Sequence, residues 1–252
     1  MNIKLCIAIS IVCMSTACTS NRPPLPKESI TSTKAVTLQN NNHINLVYAT
    51  TINSDKDNSQ TLLNVVSRSD TSKAVGLTVL QFGAQMLVGG GSVNGFTKED
   101  LKGNNIESVK NPYIDNIEPA LTAYLNTLPI KESTTTHDVK IIPGKFKLMY
   151  DGLNSETYNF IYSVSIIFNA SGKGYVLGTC SANELTSGDY QKPYSQWEKS
   201  NFALASQIAQ KTINNCFDKF KTEKYKTQIV KAMNNELDKP IYDFELNSKT
   251  PL

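Results

Sequence analysis

The feature that most constrains the fold is a run of alternating side chains between Thr157 and Asn169. Every second residue is large and apolar, and the residues between them are mostly small and polar. Because successive side chains of a β-strand point to opposite faces of a sheet, this alternation predicts a long strand with one packed face and one solvated face. The apolar set is Tyr158, Phe160, Tyr162, Val164, Ile166 and Phe168, and the polar set is Thr157, Asn159, Ser163, Ser165 and Asn169.

Two shorter strands flank the long one. Residues 145–150 alternate in the same way and end at a turn beginning with Asp151 and Gly152, and residues 175–180 follow a second turn at 169–174. Strands joined by short turns in this order predict an antiparallel β-meander. Residues 43–53, rich in β-branched and aromatic side chains, predict a further strand, and residues 241–246 a short one.

Helical periodicity appears on both sides of the predicted meander. An apolar stripe from Ile117 to Leu128 follows a capping-box spacing at Asp115 and Glu118. A second capping box, Ser195 to Glu198, predicts the start of a helix of about 25 residues. A short helix is predicted at 60–69, and a basic one through about residue 237. The pattern predicts an α+β fold, with an antiparallel β-meander packed against amphipathic helices in one domain over residues 34–246, before a tail at 247–252.

The first residues predict export. Lys4 precedes the apolar run 5–14, which has the layout of a secretory signal. Ser15, Thr16 and Ala17 then precede Cys18, and this arrangement resembles the lipobox of bacterial lipoproteins, although Ser15 stands where that family usually has Leu. The resemblance implies that residues 1–17 are removed and that Cys18 carries palmitate and other acyl chains. The alternative is an ordinary signal peptide that leaves Cys18 free.

The residues after Cys18 define the expected location. Lipoproteins retained in the inner membrane carry Asp after the acylated cysteine, and Thr19 stands there instead. The resemblance therefore implies an outer-membrane lipoprotein, anchored in the lipid bilayer through Cys18 and facing the periplasm. Residues 18–33 are polar and proline-rich, which predicts an extended tether.

In the exported chain two cysteines remain besides Cys18, namely Cys180 and Cys216. An even pair in an oxidising compartment favours a disulfide bond, and two buried free thiols are the alternative. Cys180 ends the third predicted strand, and Cys216 lies on the apolar face of the predicted long helix. The two cysteines can meet if that helix packs across the sheet.

Composition excludes several classes of function. The formal charge of +3 comes from 25 basic and 22 acidic residues spread along the chain, so nucleic-acid binding is not expected. With only His43, His137 and five cysteines, no metal or cofactor site is expected. The loop at 55–59 lacks the glycine and the final acid of a calcium loop, and the glycine-rich residues 89–95 lack the motif of a phosphate loop or a nucleophile turn.

A few side chains could still carry chemistry. His137 could act as a base for Ser92 or Ser171, and Glu184 or Asp189 near Tyr190 and Tyr194 would suit glycan hydrolysis. Trp197 is expected in the core or in a lid. The basic residues 219–226, with Lys231, predict a solvated helix face, or else a contact to anionic lipid or polysaccharide.

The most unusual stretch is residues 74–91, which are apolar on nearly all sides if helical. A buried core element is one interpretation. The other is an exposed element that contacts a partner or the membrane surface through Val79, Phe82, Met86 and Leu87.

The order of elements behind a lipobox looks like that of small outer-membrane lipoproteins that serve as accessory factors. That resemblance implies a non-enzymatic binding or accessory subunit with an envelope protein partner. The alternatives are a periplasmic hydrolase acting on peptidoglycan or glycan and a surface-exposed lipoprotein that contacts host molecules.

We predict that Cys18→Ala abolishes metabolic labelling with palmitate and leaves residues 1–17 attached, because the cysteine receives the lipid before cleavage. Labelling and intact mass measure both effects. Cys13→Ala is the matched control and should leave both unchanged. Continued cleavage of the Cys18→Ala chain would instead indicate an ordinary signal peptide.

Overall fold

Nine strands and five helices make up the part of the chain that the computed structural model describes, namely residues 28–51, 61–69, 103–152, 155–243 and 246. The strands are β1 (Glu28–Thr37), β2 (His43–Thr51), β3 (Leu62–Val66), β4 (Asn104–Lys110), β5 (His137–Tyr150), β6 (Thr157–Phe168), β7 (Val176–Ser181), β8 (Gln191–Pro193) and β9 (Ile241–Tyr242). The helices are α1 (Tyr113–Leu125), α2 (Ser187–Tyr190), α3 (Tyr194–Lys199), α4 (Ala203–Phe220) and α5 (Glu223–Met233). The chain has an α+β fold.

The strands form one mixed sheet in the order β1-β2-β5-β6-β7-β9. β5 pairs with β6 and β6 with β7, both antiparallel. β2 and β3 both pair with β5 in parallel, and β9 pairs with β7 in parallel. The sheet is therefore mixed and larger than the predicted antiparallel meander, because strands distant in sequence pair in parallel with β5 and with β7.

β5 pairs with two strands along one edge and has a bulge, in its ladder with β6, between the two paired segments. Residues 137–141 pair with β2 and residues 147–149 with β3. The register shifts between Pro143 and Phe146, where the proline lacks an N–H for the ladder. Gly144 lies close to β6, since a Cβ at this position would lie 2.1 Å from the Ser163 Oγ and would displace that hydroxyl.

The helices cover one face of the sheet. The apolar set of β6 is buried, as its alternation predicted. Tyr124 of α1 lies at the centre of this core, with its ring 6.2 Å from Phe168 and 5.9 Å from Phe217, and its hydroxyl donates to the Phe220 carbonyl at 2.9 Å. Edge-on aromatic contacts of this kind add to the free energy of burial.

The opposite face of the sheet is less polar than predicted. Alternate residues of β6 from Thr157 to Ser165 are half-buried there, whereas Asn169, predicted on the same face, is buried and bonds to the end of α5. Ala49, Ile142 and Ile167 form a second, smaller apolar cluster on this face. The solvated face predicted for the long strand is therefore wrong at its C-terminal end.

Local predictions fail at three further places. Residues 62–66 form β3 and not a helix. The long helix predicted from Ser195 is broken, because Asn201 and Phe202 take left-handed φ angles of 49° and 59° between α3 and α4. α1 begins at Tyr113 with no side-chain cap, ahead of the predicted capping box.

The predicted disulfide is confirmed. Cys180 of β7 and Cys216 of α4 are bonded, with their Cα atoms 5.2 Å apart, and both residues are fully buried. The bond joins the sheet to the helix layer across a sequence separation of 36 residues.

We predict that the double substitution Cys180→Ala/Cys216→Ala lowers the free energy of unfolding by about 3–4 kcal/mol, because the open chain gains loop entropy in the unfolded state. Urea unfolding measures the change. Adding a reductant should destabilise the wild-type chain similarly and leave the double variant unaffected. An unchanged wild-type midpoint after verified reduction would contradict the prediction.

Candidate functional site

Several predicted site residues lie outside the described residues. They are Cys18, the contact residues Val79, Phe82, Met86 and Leu87, the loops at 55–59 and 89–95, and Ser92. β1 begins at Glu28, ahead of the boundary predicted between tether and domain at residue 34.

His137 is buried at the start of β5. Its Nδ1 lies 3.4 Å from the Asn169 Oδ1, which can only accept, so Nδ1 carries the proton of this bond. Asn169 in turn donates to the Ala232 carbonyl at 2.7 Å and thereby reaches the end of α5. Ser171, the proposed nucleophile, is exposed in the turn after β6. Through Asn169, His137 therefore connects the start of β5 to the end of α5, which is a structural role.

The two carboxylates considered for glycan hydrolysis are both in ion pairs. Glu184 accepts from Lys219 at 2.8 Å, and Asp189 accepts from Lys211 at 2.7 Å. Hydrogen bonds from Lys211 and Thr186 lower the pKa of Asp189. A general acid in a glycosidase needs a raised pKa, so the environment of Asp189 favours a structural ion pair.

The aromatic residues near these carboxylates pack on the core. The Tyr194 ring lies 4.6 Å from the Tyr158 ring, and Tyr190 packs at the margin of the same core. Trp197 is fully buried, and its Nε1 donates to the Lys192 carbonyl at 3.2 Å. The interpretation of Trp197 as a core residue is confirmed.

Lys219 is turned inward from the basic run and holds three elements together. Its ammonium donates to the Thr179 carbonyl of β7 at 2.9 Å, to Glu184 at 2.8 Å and to Asp243 at 3.3 Å. The Tyr225 hydroxyl also donates to Asp243, and the Tyr225 ring lies 5.6 Å from the ammonium. Because an ammonium has three N–H groups, these acceptors satisfy it. We call Lys219, Glu184, Asp243 and Tyr225 the Lys219 cluster.

Two concavities lie on the helix layer. A groove of about 430 Å³ runs between α1 and α4, with Tyr124 and Phe217 among its apolar lining residues. A second concavity of about 570 Å³ borders the Lys219 cluster and is lined by polar side chains, including Asn215 and Thr222. The two share Asp218, whose ion pair with Lys221 is exposed.

The outer edge of the sheet is an exposed strand. Among the described strands, β1 pairs with β2 alone, and residues 29–35 are exposed. The Lys34 ammonium forms an ion pair with Glu118 of α1, and the Tyr48 hydroxyl donates to the other oxygen of that carboxylate at 3.1 Å. The hydrogen bond from Lys34 lowers the pKa of Glu118. Sequence reasoning missed this edge because residues 18–33 were predicted as a tether, although Ile30 to Val36 has the composition of a strand.

Comparison with known proteins gives no relative. No protein-family model matches the chain, and no curated protein or solved structure matches it significantly. None of the described helices is long and apolar enough to cross a bilayer. Within the described residues, no group of three or more His, Cys, Asp or Glu side chains could hold a metal ion.

We predict that Lys219→Met lowers the free energy of unfolding by about 2 kcal/mol, because Glu184 and Asp243 then face each other without a counter-charge. Lys221→Met, directly after the end of the same helix, is the matched control. Its side chain and that of Asp218 are 60% and 72% exposed, so the loss should stay below about 0.5 kcal/mol. If urea unfolding gave equal losses of unfolding free energy for the two variants, the Lys219 cluster would contribute no more to stability than an exposed ion pair.

Proposed function

We propose that the chain is an outer-membrane lipoprotein that faces the periplasm and acts as a non-enzymatic binding or accessory subunit of an envelope assembly. Its anchor is Cys18 in acylated form, and its expected partner is another envelope protein. Three features support the proposal: the lipobox-like residues 15–18, the start of the sheet at Glu28, and the Cys180–Cys216 disulfide.

The observation that carries the proposal is the short distance in sequence between Cys18 and the folded domain. β1 begins at Glu28, so only residues 19–27 separate the proposed anchor from the edge of the sheet. Fully extended, this segment spans at most about 30–35 Å. An acylated Cys18 would therefore keep the β1 edge of the sheet close to the bilayer surface. Such an arrangement suits a protein that presents a surface to other proteins at the membrane.

The disulfide supports export. Disulfides persist in oxidising compartments such as the periplasm and are rare in the cytosol. The Cys180–Cys216 bond is buried and connects β7 to α4, as expected of a structural cross-link. It therefore agrees with the destination that the first residues imply.

Residues 74–91 are the contact segment that we propose for the envelope partner. Val79, Phe82, Met86 and Leu87 supply large apolar side chains, and apolar and aromatic side chains provide most of the binding energy in protein interfaces. The segment contains no Asp, Glu, Lys or Arg, which fits a contact that removes it from water.

The hydrolase alternative gains no support from the described side chains. His137 is buried against Asn169, while Glu184 and Asp189 are held in ion pairs with lysines. Each of the three thus has a structural partner where a hydrolase would need an accessible acid or base.

We expect a photo-reactive residue placed at Phe82 to cross-link discrete envelope proteins in intact cells, identified by mass spectrometry. The same residue placed at Ser195, which is exposed on α3, is the matched control and should not capture them. Deletion of residues 74–91 should abolish binding of the partner and leave the unfolding temperature of the domain unchanged.

Two outcomes would contradict the proposal. Capture of the same abundant proteins from Phe82 and Ser195 would indicate random encounters. Unfolding of the deletion variant would show that residues 74–91 belong to the core. In either case screening of peptidoglycan and glycan substrates becomes the better experiment, and His137→Ala tests whether any activity found depends on the one buried histidine.

A further inference from the structure

We propose that two copies of this chain pair through their β1 strands, antiparallel and about a twofold axis at Thr33, so that one sheet continues across the dimer. The inference rests on the proposed function only for its setting at a membrane. It concerns a surface that the proposed function leaves unused, the outer edge of β1.

The first observation is that no described strand pairs with the outer edge of β1. β1 is a strand of ten residues, and residues 29–35 are exposed along it. A strand in this position presents backbone N–H and C=O groups that can pair with another strand. Ile30, with 65% of its surface exposed, is the only large apolar side chain recorded as exposed among the described residues.

The second observation is that β1 has little of the protection that natural edge strands carry. Inserted charges and prolines normally prevent such edges from pairing. β1 contains no proline, and its only lysine, Lys34, is bound to Glu118 of the same chain. A bulge between Ile30 and Ser32 and the charged residue Glu28 at the first position of the strand are the protective features present.

The third observation is that the strand is complementary to itself when this bulge is taken into account. In the pairing with β2, Ile30 and Ser32 lie opposite adjacent residues, so Thr31 is the extra residue. If Thr33 lies opposite the partner's Thr33, then Ser32 lies opposite Lys34, and Ile30 lies opposite the partner's Ala35. The same pairs recur on the other side of the axis.

This register keeps each residue on its correct face. Ile30 and Ala35 lie opposite Ala49 and Asn45 of β2, and alternation about the bulge places both on the face away from the helices. The exposed side chain of Ile30 is thereby covered by the partner's Ala35, twice in the dimer. No like charges oppose each other, and the central Thr–Thr pair is a favourable cross-strand pair.

These residues favour a second copy of the chain as the partner of β1, because one register forms the same residue pairs on both sides of the axis. An isologous twofold interface requires this symmetry. A contact made by one strand from each copy is smaller than a standard protein interface, so it should be weak in dilute solution. Anchoring both copies in one bilayer raises their effective concentration and strengthens the same contact. The short segment 19–27 keeps both β1 strands near that bilayer.

The experiment uses single cysteines in the full-length chain, expressed in its own envelope, mildly oxidised and separated by non-reducing electrophoresis. A disulfide requires Cα atoms within about 7 Å, so cross-linking reports the register. Thr33→Cys should give a dimer. Ile30→Cys and Ala35→Cys should each stay monomeric, whereas the double variant Ile30→Cys/Ala35→Cys should give a dimer. Ser171→Cys, exposed in a turn away from β1, is the control and should give severalfold less dimer.

The outcomes separate this inference from the proposed function. Monomers from both Thr33→Cys and the double variant, with unfolding temperatures unchanged, would overturn it. So would equal cross-linking of Ser171→Cys, or capture of a different protein by Thr33→Cys. The mass of the N-terminal peptide in the same samples reports acylation of Cys18. A dimer without acylation would refute the proposed anchor alone, and acylation without a dimer would refute the pairing alone.

Discussion

Burial of one face of β5 and β6 beneath α1 and α4 is the interaction on which the rest of the structure depends. Tyr124, Phe168, Phe217 and Phe220 meet at the centre of that layer with ring distances of 5.5–6.2 Å. Because α4 is fixed there, Cys216 reaches Cys180 and Lys219 reaches the Thr179 carbonyl. The disulfide and the Lys219 cluster thus follow from the aromatic packing and reinforce it.

Elements with strong local patterns could be predicted, and elements decided by distant contacts could not. The alternation of apolar and polar residues in β6 and the apolar stripe of α1 are patterns of neighbouring residues, and each indicates its secondary structure without reference to the rest of the chain. β3, with the sequence Leu-Leu-Asn-Val-Val, is a short apolar run of the kind that fits a helix or a buried strand equally well. Its strand state and its parallel pairing come from β5, more than 80 residues later in the chain. The break before α4 is local, with the Phe202 N–H donating to the Trp197 carbonyl at 2.8 Å, but no glycine stands at position 201 or 202 to indicate it in the sequence.

The same distinction applies to the candidate site. The two cysteines could be paired from the sequence because, once residues 1–17 were predicted to be removed and Cys18 acylated, they were the pair that remained. The role of Lys219 could not be predicted, because in the sequence it is one lysine among several in a basic run. Its acceptors are Thr179 of β7, Glu184 and Asp243, which are all far from Lys219 in the sequence. The β1 edge was missed because the polar composition of residues 18–33 resembles that of a tether.

Stability and accessibility are distributed unequally across the sheet. On the side of β7 and β9, the disulfide, the Lys219 cluster and the contacts of Asn169 join strands to helices with buried groups. On the side of β1, the polar side-chain links to α1 include the exposed Lys34–Glu118 pair and the Tyr48 hydroxyl, and the Tyr48 ring lies 6.5 Å from that of Tyr113. β1, the first described element of the chain, lies on this second side. An exposed strand that contributes few buried contacts can accept a new neighbour, or a substitution, while the aromatic core and the opposite edge maintain the fold.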